Sequence, residues 1–71
     1  MTSKTEFYLS ELHPKYKIHL DNIRSFSKNL PDSEKKAAKQ YIRGYLMALQ
    51  DATIISSLQF RVLYLYYTIH L

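Results

Sequence analysis

The sequence predicts an all-α fold: a small bundle of three principal helices, at about 15–30, 33–51 and 57–70, with a short N-terminal helical segment. Three observations lead to this prediction. Apolar residues recur at helical spacing in each segment. Proline and capping residues separate the segments. One glycine and two prolines leave few of the tight turns that an all-β fold needs. The length of 71 residues fits a single domain, 1–71.

The short N-terminal segment lies within residues 1–13. Thr2 or Ser3 offers a cap, because hydroxyl side chains accept backbone hydrogen bonds at helix starts. The apolar positions at helical spacing are Phe7, Tyr8 and Leu12. Pro14 follows, and two alternatives stay open. It begins a new helix, where its missing N–H costs little, or it kinks a continuous one.

The first principal helix, at 15–30, has a regular apolar arc. The side chains that share about 120° of the helix circumference are Tyr16, Leu20, Ile23, Phe26 and Leu30. Lys17 and Asp21 lie four residues apart on the other side, where an ion pair supports the helix. Ile18 falls outside the arc. We expect the apolar arc to pack on the core.

The second principal helix, at 33–51, follows a break at Pro31. Asp32 or Ser33 is the expected cap. Apolar side chains cover about half of the circumference: Ala38, Tyr41, Ile42, Tyr45, Leu46, Leu49 and Ala52. Gly44 lies inside this helix, where glycine costs about 1 kcal/mol relative to alanine. We expect Gly44 to permit a close helix crossing, and the alternative is a weak position that the fold tolerates.

Two local motifs mark the start of the third principal helix, at 57–70. Ser56 and Gln59 form the S-x-x-Q pattern of a capping box. Ile55 and Phe60 occupy the positions of a hydrophobic staple. The β-branched and aromatic composition also favours a strand. The segment shows no alternation of polarity, however, and no other predicted strand could pair with its backbone. We therefore interpret it as a helix.

This last helix carries two apolar stripes. The aliphatic stripe consists of Leu58, Val62, Leu65 and Ile69. The aromatic stripe lies on nearly the opposite side and consists of Phe60, Tyr64, Tyr67 and Leu71, widened by Leu63 and Tyr66. Arg61 and Thr68 remain as a thin polar seam. A helix that is apolar all round must be buried on more than one side.

Three explanations of the two stripes stay open: both are core, one is an interface, or the segment lies at a membrane surface. We expect the aromatic stripe to be an interface, because tyrosine combines an apolar ring with a hydroxyl that tolerates water. The apolar run Leu58–Leu71, 14 residues, is short of the roughly 20 that span a bilayer. It also lacks the lysine-rich face of an interfacial helix.

A basic stripe follows the second principal helix: Lys35, Lys36, Lys39 and Arg43. With a net charge of +4 and a pI near 9.4, it suits an anionic partner, either an acidic protein surface or a nucleic-acid backbone. The plain alternative is a solvated helix face. Four phosphate contacts alone give only weak binding, and a homodimer would double the stripe.

Nothing in the residue pattern indicates catalysis, a metal or a cofactor. The histidines are His13, His19 and His70, and no two have the four-residue spacing of helical metal ligands. The acidic residues are scattered, and the chain has one glycine and no cysteine, so a phosphate loop and a thiol nucleophile are both absent. We expect a protein that is not an enzyme and has no cofactor or small-molecule substrate. No secretory leader is visible, and we expect a cytoplasmic protein.

A resemblance to a known group of proteins lies in "YIRGYLMALQDATIISSLQFRVLYLYY" (Tyr41–Tyr67). This segment resembles small helical-hairpin proteins encoded by phages and mobile elements of low-GC Gram-positive bacteria. Those proteins often carry a helix ending in GxLxAL, a short connector with IIS or IIT, and a second helix that starts with a capping residue and an aromatic. The resemblance implies a protein that binds and modulates a host, phage or defence protein, anti-CRISPR proteins being among the examples.

From these observations we expect a small non-enzymatic interaction protein, forming a homodimer and binding a protein partner. It would modulate or inhibit a host or defence macromolecule through a helical surface. The aromatic stripe would supply the buried area and the basic stripe the electrostatic steering. The alternative is a small basic protein that binds nucleic acid or modulates transcription.

Overall fold

The fold is built from four helices joined by short connections. The computed structural model describes residues 3–69 and residue 71. Within these residues it contains no strand, and its helices are α1 (Lys4–Glu11), α2 (Pro14–Ser27), α3 (Asp32–Asp51) and α4 (Ser57–Thr68). The predicted all-α bundle, a short N-terminal helix followed by three longer ones, is confirmed. The other three helices all pack against α4.

The junction between α1 and α2 shows that Pro14 begins a helix. Ser3 caps α1, because its Oγ accepts a hydrogen bond from the Glu6 N–H at 3.1 Å; Thr2 lies outside the described residues. Leu12 follows α1 as its C-cap and is buried. His13 Nδ1 then accepts a hydrogen bond from the Lys15 N–H at 3.1 Å, and Pro14 is the first residue of α2. The kinked-helix alternative is therefore wrong.

The C-terminal end of α2 corrects the sequence prediction. The helix stops at Ser27, and the Leu30 N–H bonds the Ser27 carbonyl in a turn. Phe26, predicted to face the core, is 72% exposed, whereas Ser27 is buried. The reason lies in the spacing, because Leu20 and Ser27 are seven residues apart and share one helix face, while Phe26 is rotated from it by about 100°.

The start of α3 also differs from the prediction. Asp32 is the first helical residue, and Pro31 occupies the N-cap position without a side-chain hydrogen bond. The Pro31 carbonyl accepts hydrogen bonds from the N–H groups of Glu34 and Lys35, at 3.0 and 2.9 Å. Asp32 and Glu34 lie in the first turn, where their negative charges interact favourably with the helix dipole.

The predicted start of α4 is confirmed in detail. The Gln59 N–H donates to Ser56 Oγ at 3.1 Å, and the Ser56 N–H donates to Gln59 Oε1 at 2.8 Å. Ile55 is buried, and Phe60 packs against the same core, as expected of a hydrophobic staple. The connection before this cap includes Thr53, whose φ of 59° lies in the left-handed region that ends many helices.

The core of the bundle lies where α2, α3 and α4 meet. Its buried apolar side chains are Leu12, Leu20, Ile42, Leu46, Leu49, Ile55, Leu63 and Tyr67. Gly44 does not contribute to a helix crossing, because a Cβ built on it meets no atom within 4 Å. Gly44 and the buried Ile42 are two residues apart and therefore lie on nearly opposite sides of α3. The expectation of a close crossing at Gly44 is wrong.

Replacing Gly44 with alanine is expected to raise the free energy of unfolding by about 1 kcal/mol. The added methyl group meets open space, and alanine loses less backbone entropy than glycine when a helix forms. Urea unfolding followed by circular dichroism measures the difference. Ala48→Gly, an exposed position on the same helix, is the reverse control and should lose a similar amount. A less stable Gly44→Ala variant would contradict the open geometry.

Candidate interaction surface

The aromatic side of α4 faces its own chain. Leu63 and Tyr67 are 0% exposed. The other members of the predicted aromatic stripe are half-buried and pack against the core: Phe60, Tyr64, Tyr66 and Leu71. The expectation that this stripe is open to a partner is therefore wrong for Leu63 and Tyr67. The physical reason is that the other helices of the bundle cover this side of α4.

A polar network fixes the buried side of α4 to α2. The Tyr67 hydroxyl donates to Asp21 Oδ1 at 2.9 Å, and Lys17 Nζ donates to Asp21 Oδ2 at 2.8 Å. Burial, and then the hydrogen bond to Asp21, raise the pKa of Tyr67 above its usual range. The hydrogen bond with Asp21 also raises the pKa of Lys17. These groups hold the tyrosine in its neutral form as a hydrogen-bond donor.

Arg24 adds a second link between α2 and the aromatic side of α4. Its guanidinium carbon lies 4.6 Å from the centre of the Tyr66 ring and 6.0 Å from that of Tyr67. A guanidinium over an aromatic face is attracted by the ring quadrupole. Both tyrosine rings are therefore engaged within the chain.

The exposed side of α4 is the aliphatic one. We define the aliphatic face of α4 as Leu58, Val62, Leu65 and Ile69. Leu58 is 46% exposed, Leu65 is 54% exposed and Ile69 is 69% exposed, and Val62 is half-buried. Large apolar side chains grouped on one surface are typical of interaction sites. Of the two stripes, this one is available to a partner.

The aliphatic face continues into a groove between α4 and the start of α1. The groove has a volume of about 330 Å³. Its lining residues are Lys4, Thr5, Val62, Leu65, Tyr66 and Ile69. Lys4 is the charged member of this set, and no acidic residue belongs to it. The groove is thus apolar with a cationic rim.

The predicted polar seam of α4 divides between solvent and core. Arg61 is exposed, whereas Thr68 is buried. The Thr68 hydroxyl donates to the Tyr64 carbonyl four residues earlier, at 2.7 Å, which satisfies it without water. Thr68 therefore does not mark the solvent side of α4.

The basic stripe of α3 is only partly exposed. Lys36 and Arg43 are exposed, and Lys35 and Lys39 are half-buried. Lys39, Arg43 and Gln50 share one side of α3, because they are four and seven residues apart.

Gln50 reaches the beginning of α4. Its Nε2 donates to Ser57 Oγ at 2.9 Å. Arg61 follows Ser57 by four residues and lies on the same side of α4. We define the basic edge as Lys39, Arg43 and Arg61: Arg61 follows Leu58 by three residues on α4, and Lys39 and Arg43 lie on the side of α3 that carries Gln50. Within the described residues, Lys17–Asp21 is the single ion pair whose nitrogen and oxygen lie within 4.0 Å of each other. No such ion pair in this part of the chain involves the basic edge.

The positive charge belongs to the second half of the chain. Residues 1–34 contain five lysines and arginines and five acidic residues. Residues 35–71 contain five basic residues and a single acidic residue, Asp51. The net charge of +4 is therefore carried by the part of the chain that forms most of α3 and all of α4.

The histidines in the described part of the chain have structural partners. His13 caps α2. His19 Nε2 lies 3.1 Å from the Tyr41 hydroxyl, and its ring centre is 4.6 Å from that of Tyr45. Tyr41, predicted to lie in the core, is 53% exposed and packs beside His19 instead. His70 lies outside the described residues. Among residues 3–69 and 71, no three His, Asp or Glu side chains are placed to hold a metal ion.

Comparison with protein-family models, curated proteins and solved structures finds no match to this chain. Within the described residues, no helix has both the length and the apolarity required to cross a membrane. The features that bear on function are therefore those of the surface itself: the aliphatic face, the groove beside it and the charges around both.

Proposed function

We propose that the chain is a non-enzymatic interaction protein that binds another protein through the aliphatic face of α4. The observation that carries this proposal is the exposure of Leu58, Leu65 and Ile69 on one side of a helix whose other side is core. The exposed parts of these leucine and isoleucine side chains contribute nothing to the core, and burying each one in a complex stabilises it by roughly 1–2 kcal/mol. A binding partner supplies that burial.

The mode of action follows from the small size of the chain. A domain of 71 residues without a catalytic pattern acts by occupying a surface of a larger macromolecule. The resemblance of Tyr41–Tyr67 to phage and mobile-element proteins supports a target in the host or in its defence systems, located in the cytoplasm. Binding would then modulate or inhibit that target, as a steric block does.

Affinity capture from a lysate of the native cells tests this proposal. Wild type is compared with Leu65→Glu, which places a charge in the aliphatic face. The matched control is Phe26→Glu, because Phe26 is also exposed but lies on α2. We expect a partner that is retained by wild type and Phe26→Glu and lost with Leu65→Glu, with circular dichroism showing all three folded. A partner retained equally by all three would contradict the proposal, as would no partner.

A second candidate function, nucleic-acid binding, is supported by the basic residues of α3. Lys36 and Arg43 are exposed, and phosphate contacts of this kind give salt-dependent binding. Its expected signature is a gel shift that is lost with Lys36→Glu/Arg43→Glu and unchanged by Leu65→Glu.

The predicted homodimer has its own test. If the aliphatic face of α4 pairs with a second copy, light scattering coupled to size exclusion should give twice the monomer mass of 8.4 kDa, and Leu65→Glu should restore the monomer. A wild-type monomer at all concentrations would contradict the dimer.

A further inference from the structure

We infer that the aliphatic face of α4 receives an acidic amphipathic helix of its partner. This inference rests on the proposed function and names the chemistry of the protein that the surface fits. Three properties of the surface support it: the spacing of its apolar side chains, the sign of the charge on both sides and its width.

The spacing of the aliphatic face matches helix-on-helix packing. Leu58, Val62, Leu65 and Ile69 follow each other at intervals of four, three and four residues. This is the spacing of the apolar seam in a coiled coil, where side chains of one helix fit between those of the next. A partner helix with apolar residues at the same intervals lies along α4 and places its seam on these four side chains.

The charged residues that line the groove or belong to the basic edge are all positive. On one side lies the basic edge (Lys39, Arg43 and Arg61), and on the other Lys4 lines the groove with α1. The helix α4 itself contains no acidic residue. A partner helix with acidic side chains flanking its apolar seam thus meets opposite charge on both sides. Such complementarity steers the encounter and disfavours partners of the same charge.

The same charge argument disfavours a second copy as the occupant. Two copies would bring together two surfaces that each carry the net charge of residues 35–71. The size of the face indicates which structural element it can receive. The 12 residues of α4 rise about 18 Å, and a helix is about 10 Å wide. The area of such a strip is small compared with the roughly 800 Å² that each partner buries in a typical stable interface. It fits one helix lying in a groove.

Designed peptides test the inference directly. The probe is a fluorescein-labelled synthetic helix three heptads long, with leucine at the seam positions and glutamate beside them. The first control peptide replaces every glutamate with lysine, and the second keeps the composition but scrambles the order so that the seam is lost. Binding to the full chain is followed by fluorescence anisotropy at low and at physiological salt.

We expect the acidic peptide to bind and both control peptides to bind at least ten-fold more weakly. Leu65→Glu should weaken the acidic peptide about 30-fold, the size of a hot-spot loss. Arg43→Glu/Arg61→Glu should weaken it about ten-fold and reduce its salt dependence. Phe26→Glu, away from the face, should leave the affinity unchanged.

Four results would overturn the inference. They are an acidic peptide with no binding below about 1 mM, equal binding of the lysine peptide, binding that ignores Leu65→Glu, and a wild-type dimer that Leu65→Glu dissociates. Failure here is separable from failure of the proposed function. If the peptides do not bind but the lysate partner is still lost with Leu65→Glu, the face binds a protein of other chemistry. If DNA binds in a way that depends on Arg43 but not on Leu65, and neither the acidic peptide nor a lysate partner binds, both proposals fail.

Discussion

Replacing Leu63 with alanine is expected to lower the free energy of unfolding by about 3 kcal/mol, whereas replacing Leu65 should cost less than about 1 kcal/mol. The two leucines are two residues apart on α4. Leu63 is fully buried, and Leu65 is 54% exposed. Truncating a buried leucine loses its transfer free energy and leaves a cavity, with typical costs of 2–5 kcal/mol. An exposed leucine leaves no cavity.

The comparison of these two variants decides which side of α4 is core. A small domain is stable by only about 0.05–0.15 kcal/mol per residue, so the loss at Leu63 is a large share of the total. Thermal and urea unfolding of Leu63→Ala and Leu65→Ala measure both values. Equal losses would mean that both stripes are buried, and a larger loss at Leu65 would mean that the helix is rotated the other way.

Replacing Tyr67 with phenylalanine is expected to lower the free energy of unfolding by about 1.5 kcal/mol. The substitution keeps the buried ring and removes the hydroxyl that donates to Asp21. Hydrogen bonds to a charged group contribute about 1.5–3 kcal/mol, and we take the lower end because Asp21 is 40% exposed. Tyr66→Phe is the control, since it keeps the ring beside Arg24.

The contribution of Tyr67 also depends on pH, in a direction that follows from its raised pKa. In the unfolded chain tyrosine ionises near pH 10, while burial and Asp21 raise the pKa of Tyr67 in the folded chain. The stabilisation is therefore fully present below about pH 10 and is lost as the pH rises toward the folded pKa. The free energy of unfolding should fall above pH 10 more steeply for wild type than for Tyr67→Phe.

Urea unfolding between pH 7 and pH 11 measures this dependence. The pKa of Tyr45 is also raised by burial, but Tyr45 is present in both proteins and cancels in the comparison. Parallel curves for wild type and Tyr67→Phe above pH 10 would show that the Tyr67 hydroxyl does not hold its proton more tightly in the fold.

Local signals account for the parts of the fold that the sequence predicts well. The capping box of Ser56 and Gln59 depends on residues three apart, and it identifies α4 as a helix despite a composition that favours strands. Pro14 begins a helix for an equally local reason, the fixed φ of proline. Such features need no knowledge of where the rest of the chain lies.

Long-range contacts account for what the sequence does not predict. The choice between the two stripes of α4 depends on contacts such as Tyr67 with Asp21, which are 46 residues apart. Tyrosine is also compatible with either the surface or the core, because its hydroxyl can hydrogen-bond to water or to a buried carboxylate. The open position of Gly44 follows from the rotation of α3, which brings Ile42 to the core.

The surface of the molecule combines elements from distant parts of the chain. The sequence alone predicts the basic stripe, because Lys35, Lys36, Lys39 and Arg43 recur along one predicted helix. It does not predict the cationic rim that Lys4 adds to the groove, since that rim requires α1 to pack beside Val62 and Ile69. The concentration of positive charge in residues 35–71 bears on partner binding because the aliphatic face, which lies in the same part of the chain, is the exposed one.

The measurement that tests the central claim most directly is thiol labelling of single-cysteine variants. The chain contains no cysteine, so Leu65→Cys and Phe26→Cys each carry one reactive group. We expect both to react with a maleimide at similar rates in the free chain, and only Leu65→Cys to be protected, at least ten-fold, when the captured partner or the acidic peptide is bound. Slow labelling of Leu65→Cys in the free chain, or a rate that the bound partner leaves unchanged, would contradict the claim that the aliphatic face of α4 is the binding surface.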